Sequence, residues 1–309
     1  MIINVLLFIV GLVLICLGGD RLVDSAVAIA RKLGIPQIVV GATIVSLGTT
    51  LPEILVSTTA AFQGSADIAA GNALGSVICN TALVAGLAQL LSPAKKVSTS
   101  SFAWRAVFFF VVCGLMTVYG AIFGQFDRIV GIVLLVLFGV YAYLNIRFPG
   151  EDDEESEADE SGSVIKHLLI LAVCAALLYV GAKLLVDNGI VIAQAMGVPE
   201  RVIAVTFIAL GTSLPELVTS LTSIIKGYGN VGLGNVIGAN LLNLLLVIGI
   251  PASITGIQLS ESVTRVDSPV SLLVMAVLTV PLLIKKKAYR WQGAALLAIY
   301  GVYCVSQFI

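Results

Sequence analysis

The stretch GATIVSLGTTLPEILVS at 41–57 returns at 204–220 as AVTFIALGTSLPELVTS, and each copy sets a glutamate directly after a proline inside an apolar run. A carboxylate at membrane depth is costly, and ionisable residues inside spans mark ion or substrate paths. Glu53 and Glu216 therefore anchor the reading of the whole chain.

Around these two stretches lies a longer repeat. Residues 18–80 align with 181–243 at a constant offset of 163 without a gap, and 23 of the 63 positions are identical. The matches keep polar residues in register: Asp24 with Asp187, Glu53 with Glu216, Asn72 with Asn235, Asn80 with Asn243. Shared apolarity alone would not do this. Between the copies lies EDDEESEADE at 151–160, with eight of the chain's eighteen acids. So charged a block cannot bury itself and reads as a solvated linker over 148–164. A calcium-sensing role is disfavoured because the glycine-containing loop of an EF-hand is missing.

Of the 309 residues, 59% are hydrophobic and only 11% charged, which excludes a soluble domain. Apolar runs of about 20 residues, enough to cross about 30 Å of hydrocarbon, recur along the chain, and strand-like alternation is absent. The expectation is an all-α polytopic membrane protein with ten spans, near 3–30, 36–62, 69–91, 101–123, 127–147, 165–195, 200–226, 232–256, 268–284 and 290–308. Residues 1–147 and 165–309 would be two five-helix repeats, with core motifs at 41–80 and 204–243. MIINVLLF lacks a basic leader region, so the first span is expected to be retained. Lys and Arg near the loops divide twelve (Arg105 and Lys226 among them) to three, placing both termini outside and the linker in the cytoplasm. Five spans separate each motif from its copy, so the repeat is inverted. Such transporters bind their substrate near the midplane, on broken helices between the repeats.

Gly48 with Pro52, and Gly211 with Pro215, are poor helix interiors, so the second and seventh helices should break, the former near 46–52. Carbonyls freed at that depth need a partner, and a cation serves. Thr49, Glu53 and Ser57 share one helix face, as do Thr212, Glu216 and Ser220. The following helices read GNALGSVICN and GNVIGANLLN, which put Asn72, Ser76 and Asn80, and Asn235, Ala239 and Asn243, on one face each. Gly71 with Gly75, and Gly234 with Gly238, allow close backbone approach.

Two carboxylates with amides, hydroxyls and carbonyls form a hard oxygen set, suited to Ca²⁺ or Na⁺ and not to zinc or copper. One Ca²⁺, two Na⁺ or two protons would neutralise the pair, so competition for one pocket gives exchange. Packing alone is the bland reading for Asn72 and Asn235. It fails for the glutamates, which have no Lys or Arg near them on their own helices. Asp20, Arg21 and Asp24 on the first helix, and Lys183 and Asp187 on the sixth, read as interfacial snorkelling residues. The five cysteines, spread without CxxC spacing, read as core filler, and the lone His167 as an interfacial residue.

At these motifs the chain resembles the cation/calcium exchanger superfamily, and most closely its compact prokaryotic sodium/calcium exchangers. GTSLPE-type cores followed by GN-x-x-G-[SA] are that superfamily's alpha repeats. The resemblance implies that the first and sixth helices slide across a core of eight. It also implies that Thr49, Glu53, Thr212 and Glu216 hold Ca²⁺. Ser46 (through its carbonyl), Thr50 and Ser213 would line an inner Na⁺ site, and Ala209 (through its carbonyl), Ser76 and Thr212 an outer one, both sharing Glu53 and Glu216. Asn80 and Asn243 would complete the middle. Two positions depart from the archaeal pattern: Asn243 stands where some members carry an aspartate, and Ala239 where a serine hydroxyl would serve the outer Na⁺ site.

The expected function is Ca²⁺/Na⁺ antiport across the cell membrane, calcium leaving down the sodium gradient, with Ca²⁺/H⁺ antiport as the alternative. A cation channel fits less well, because inverted repeats create one site with two-sided access. An ATP-driven pump lacks its GxxxxGK[ST] loop. Neither enzymatic chemistry, a cofactor, nucleic acid nor an obligatory protein partner is indicated; the partners are the two ions and the lipid bilayer.

Overall fold

In the computed structural model the described residues are 2–64, 66–93, 99–148, 163–197, 211 and 213–307. Among them, eight helices are long and apolar enough to cross a membrane. These are α1 (Ile2–Leu33), α2 (Gln37–Phe62), α3 (Ile68–Leu91), α4 (Phe102–Phe123), α5 (Arg128–Arg147), α6 (Val164–Ala195), α8 (Gly229–Thr255) and α9 (Val263–Lys285). The shorter α7 (Leu214–Ile225) and α10 (Arg290–Ser306) complete the all-α set. Boundaries agree with the sequence reading to within a few residues, as expected where 20-residue apolar runs set them. Of the span expected at 200–226, residues 200–210 and 212 lie outside the described residues, as does most of the linker.

Two hydrophobic clusters divide the bundle. One gathers α1 and α6 around Ile15, Leu22, Leu171 and Leu178; the other draws on α3, α4, α8 and α9 with their neighbours. Glycines let α1 and α6 touch along their backbones. A Cβ on Gly11 would lie 2.7 Å from the Gly181 carbonyl oxygen. The α1/α6 cluster also takes in Val40 and Val45 of α2 and Val231 of α8, so it joins the pair to its neighbours. A two-residue antiparallel ladder, β1 (Gln125–Phe126) with β2 (Ile257–Gln258), ties the loop before α5 to the one after α8.

Three expectations change. The second helix does not part at 46–52. Wide π-type turns occupy Gly41–Val45, one turn earlier, and an α-helix then runs from Ser46 to Phe62 through Pro52. Proline removes only its own N–H bond, and neighbouring groups re-satisfy the rest. In the second copy, α7 does start just ahead of its proline, with Ser213 as N-cap residue.

Arg105, counted among the loop charges, is fully buried. Its guanidinium donates to Asn145 Oδ1 on α5 at 2.6 and 3.1 Å and covers the Trp104 ring at 4.5 Å. It cannot report topology, so that count becomes eleven.

Asp20 and Asp24 do not simply snorkel. Lys226, at the end of α7, bridges them at 2.6 and 2.7 Å and donates to the Asp20 carbonyl at 3.1 Å. The repeat places Gln63 opposite Lys226, and Lys183 pairs with Asp187 on its own helix at 3.0 Å. Hence, among the described residues, one of the two related faces ties its long helix to the core by charge and the other pairs its charges within the helix. Such partly exposed pairs contribute up to about 1 kcal/mol, about fivefold in an equilibrium. Lys226→Gln should accordingly raise the maleimide labelling rate of a cysteine at Thr222, beside Gly19 of α1, by up to about that factor. An unchanged rate would show that the bridge does not hold α1.

Candidate cation site

The site is built from two crossings of α2 with its neighbours. On α2, Thr49, Glu53 and Ser57 are all fully buried, as the i, i+4, i+8 spacing requires; on α7, Glu216 and Ser220 are too. Asn72 on α3 donates to Ser57 Oγ at 2.9 Å, and Asn235 on α8 donates to Ser220 Oγ at 3.1 Å. These bonds are the same bond in the two copies. Asn72 and Asn235 therefore tie each glutamate helix to the helix that follows it.

The halves also interlock. Thr49 Oγ1 lies 3.3 Å from both the Ser46 carbonyl and Asn235 Oδ1, and Thr50 donates to Glu216 Oε1 at 3.1 Å. Ser213 donates to Ser76 Oγ at 3.5 Å. Thr50, Ser76, Ser213 and Glu216 are thereby brought together from three helices, with Ser46 and Glu53 buried on α2. Thr212 and Ala209 lie outside the described residues.

α8 reaches this position because its glycines meet backbone. A Cβ on Gly234 would fall against the Ile38 carbonyl oxygen, and one on Gly238 2.6 Å from the Ala42 carbonyl oxygen.

Asn80 and Asn243 are fully buried, and each stands at a wide turn, Cys79–Ala85 and Asn243–Ile248 respectively. Isolated wide turns inside helices gather at functional sites. No proline or glycine breaks these stretches, so nothing in the residue pattern marks them. All four side-chain amide atoms of the pair, with Glu216 Oε2, bond no described protein group. An unsatisfied buried polar atom costs about 1–3 kcal/mol. The two amide oxygens and Glu216 Oε2 among them carry lone pairs that fit a cation.

A polytopic helical protein that buries a glutamate and an asparagine from each of two related halves has the form of a two-repeat membrane protein with a polar centre. The chain belongs to the sodium/calcium exchanger protein family, which it matches over residues 3–147 and 166–309. It is 31% identical to the sodium/calcium exchanger MaX1 of Methanosarcina acetivorans, over 99% of either chain. To the inner membrane protein YrbG of Escherichia coli it is 34% identical, over 87% of this chain and 85% of the relative. Its fold superposes on the sodium-calcium exchanger NCX_Mj, soaked with 10 mM Na⁺ and zero Ca²⁺, with a TM-score of 0.85, 33% identity and 99% coverage of both chains.

Proposed function

We propose that this chain is a secondary antiporter exchanging Ca²⁺ for Na⁺ across the cell membrane by alternating access. The observation that carries the reading is that Glu53, Glu216, Asn80 and Asn243, two pairs related by the repeat, are all fully buried, and that both amides and Glu216 Oε2 bond no described protein group. Membership of an exchanger family supports it. Ca²⁺ takes six to eight oxygen ligands. Glu53, Glu216, Thr49 and Thr212 supply the first of these, and Asn80 and Asn243 offer amide oxygens between them. With both acids ionised, a carrier lacking cations would move two buried charges, which is costly. Loaded forms cross.

In the proposed topology two five-helix repeats enter the membrane from opposite sides, the termini lie outside and the linker 148–164 is cytoplasmic. Sodium would occupy flanking positions made by Ser46, Thr50 and Ser213, and by Ala209, Ser76 and Thr212. The repeat maps the Ser76–Ser213 contact onto Ala239 and Thr50, so a hydroxyl at 239 would stand beside Thr50. Thr50 turns to Glu216 instead. Ala239→Ser should give Thr50 a hydroxyl neighbour and lower the half-saturating Na⁺ concentration by about two- to tenfold, the effect of one hydrogen-bonding ligand. Unchanged sodium activation would remove this placement.

The deciding experiment is calcium uptake into vesicles under an imposed sodium gradient at clamped pH and voltage. Uptake should follow the sodium gradient. Uptake indifferent to Na⁺ and driven by a pH gradient would replace the reading with proton exchange, and unitary currents would replace it with a channel.

A further inference from the structure

The buried Arg105 has no part in the cation pocket, yet it begins a chain of bonds that ends on the helix of Glu53. Its guanidinium is held by Asn145 Oδ1, Asn145 Nδ2 donates to the Tyr141 carbonyl at 2.8 Å, and the Tyr141 hydroxyl donates to the Ala42 carbonyl at 2.6 Å. Ala42 sits inside the wide turn Gly41–Val45.

That turn must dispose of carbonyls that a regular α-helix would use. The Ser46 N–H bonds back to the Gly41 carbonyl, Ser46 Oγ donates to the Thr43 carbonyl at 3.2 Å, and Tyr141 takes that of Ala42. The extra residue in a wide turn advances everything after it by about 100° around the helix, so keeping the turn decides which way Thr49, Thr50 and Glu53 point. Val45 of the turn packs into the α1/α6 cluster. α8 backs the turn through Gly234 and Gly238, and a cavity of about 630 Å³ beside it is lined by Thr43, Ile44, Leu47, Gly48 and Tyr141.

Tyr141 itself is rigid. It is 1% exposed, and the rings of Trp104 and Phe108 stand 5.9 Å from its own. A guanidinium buried in a membrane protein is costly unless it is paired and hydrogen-bonded, and here Asn145 and the Trp104 face hold it.

We infer that Tyr141, fixed by Asn145 and Arg105, is a positioning residue for cation binding: its bond to the Ala42 carbonyl holds the wide turn of α2 and thereby aims Thr49, Thr50 and Glu53 into the pocket. The inference rests on the exchange function proposed above. It touches no ion. It acts through the rotation of α2.

The test is Tyr141→Phe, which removes one oxygen, assayed in vesicles beside the parent protein and the control Tyr143→Phe, whose ring is exposed on the same helix. Half-saturating concentrations of Ca²⁺ and Na⁺ should rise about five- to tenfold, while maximal rate and thermal midpoint stay near the parent's, because one buried hydrogen bond that orients ligands is lost. Unchanged half-saturation, or a fall in maximal rate alone, overturns the inference. If the Phe variant does not accumulate, 3,5-difluorotyrosine at 141 makes the hydroxyl a stronger donor and should lower both concentrations; no change there overturns it equally. A parent protein without sodium-dependent calcium uptake would instead refute the exchange function, so the two failures are distinguishable.

Discussion

Glu53→Gln and Glu216→Gln are each expected to abolish calcium exchange while leaving a folded helical bundle. Glutamine keeps the carboxylate's shape and one acceptor oxygen, so Thr50 retains a partner at position 216 and the helices keep their contacts. What disappears is one unit of negative charge in a fully buried pocket. Removing one partner from a buried ionic interaction costs about 3–5 kcal/mol, roughly two to three and a half decades in affinity. Divalent binding should suffer most, because Ca²⁺ needs both charges for neutrality. Radiolabelled calcium uptake, measured with the thermal midpoint of the purified protein, checks this. Near-normal exchange in both variants would remove the basis of the site.

Gly41→Ala should be as damaging by a different route. The added methyl would lie 2.3 Å from the Val231 carbonyl oxygen and 3.0 Å from the Asn235 N–H nitrogen, both backbone atoms of α8 that no rotamer change can move. Overpacking of this kind costs about 1–3 kcal/mol, occasionally more. Relief requires α8 to withdraw from α2, and that carries Asn235 away from Thr49. The variant should therefore lose thermal stability and exchange together. Gly139→Ala on α5, where the added methyl meets no described atom within 4 Å, is the control and should be neutral or slightly stabilising. A Gly41→Ala protein with parental stability and calcium affinity would show that the close crossing is not needed.

Much of this was legible because it is periodic or repeated. Apolar run length gave the spans, the 163-residue offset gave the two halves, and helical spacing placed Thr49, Glu53 and Ser57 on one face. The oxygen-only inventory around Glu53 and Glu216 narrowed the cargo to hard cations. Asn72 and Asn235 were left open between packing and site, since spacing says which face a residue occupies but not what it meets there.

Other features escaped. The wide turns at 79–85 and 243–248 carry no helix-breaking residue, and the one at 41–45 precedes the proline that advertised a break. Arg105 looked like a loop charge because a sequence records distance from a span's end, whereas Asn145, its partner, lies 40 residues away. Lys226 reaches Asp20 and Asp24 across more than 200 residues.

By itself the sequence determined the all-helical membrane architecture, the duplicated halves and the pair of acids, because hydrophobic length and helical period are local properties of the chain. Only the tertiary structure decided which hydroxyl turns to which carboxylate, which glycines must stay bare and how a buried arginine is tied to the pocket. Those depend on helix rotation and on backbone approach of a few tenths of an ångström, and both are fixed by contacts between residues far apart in the chain.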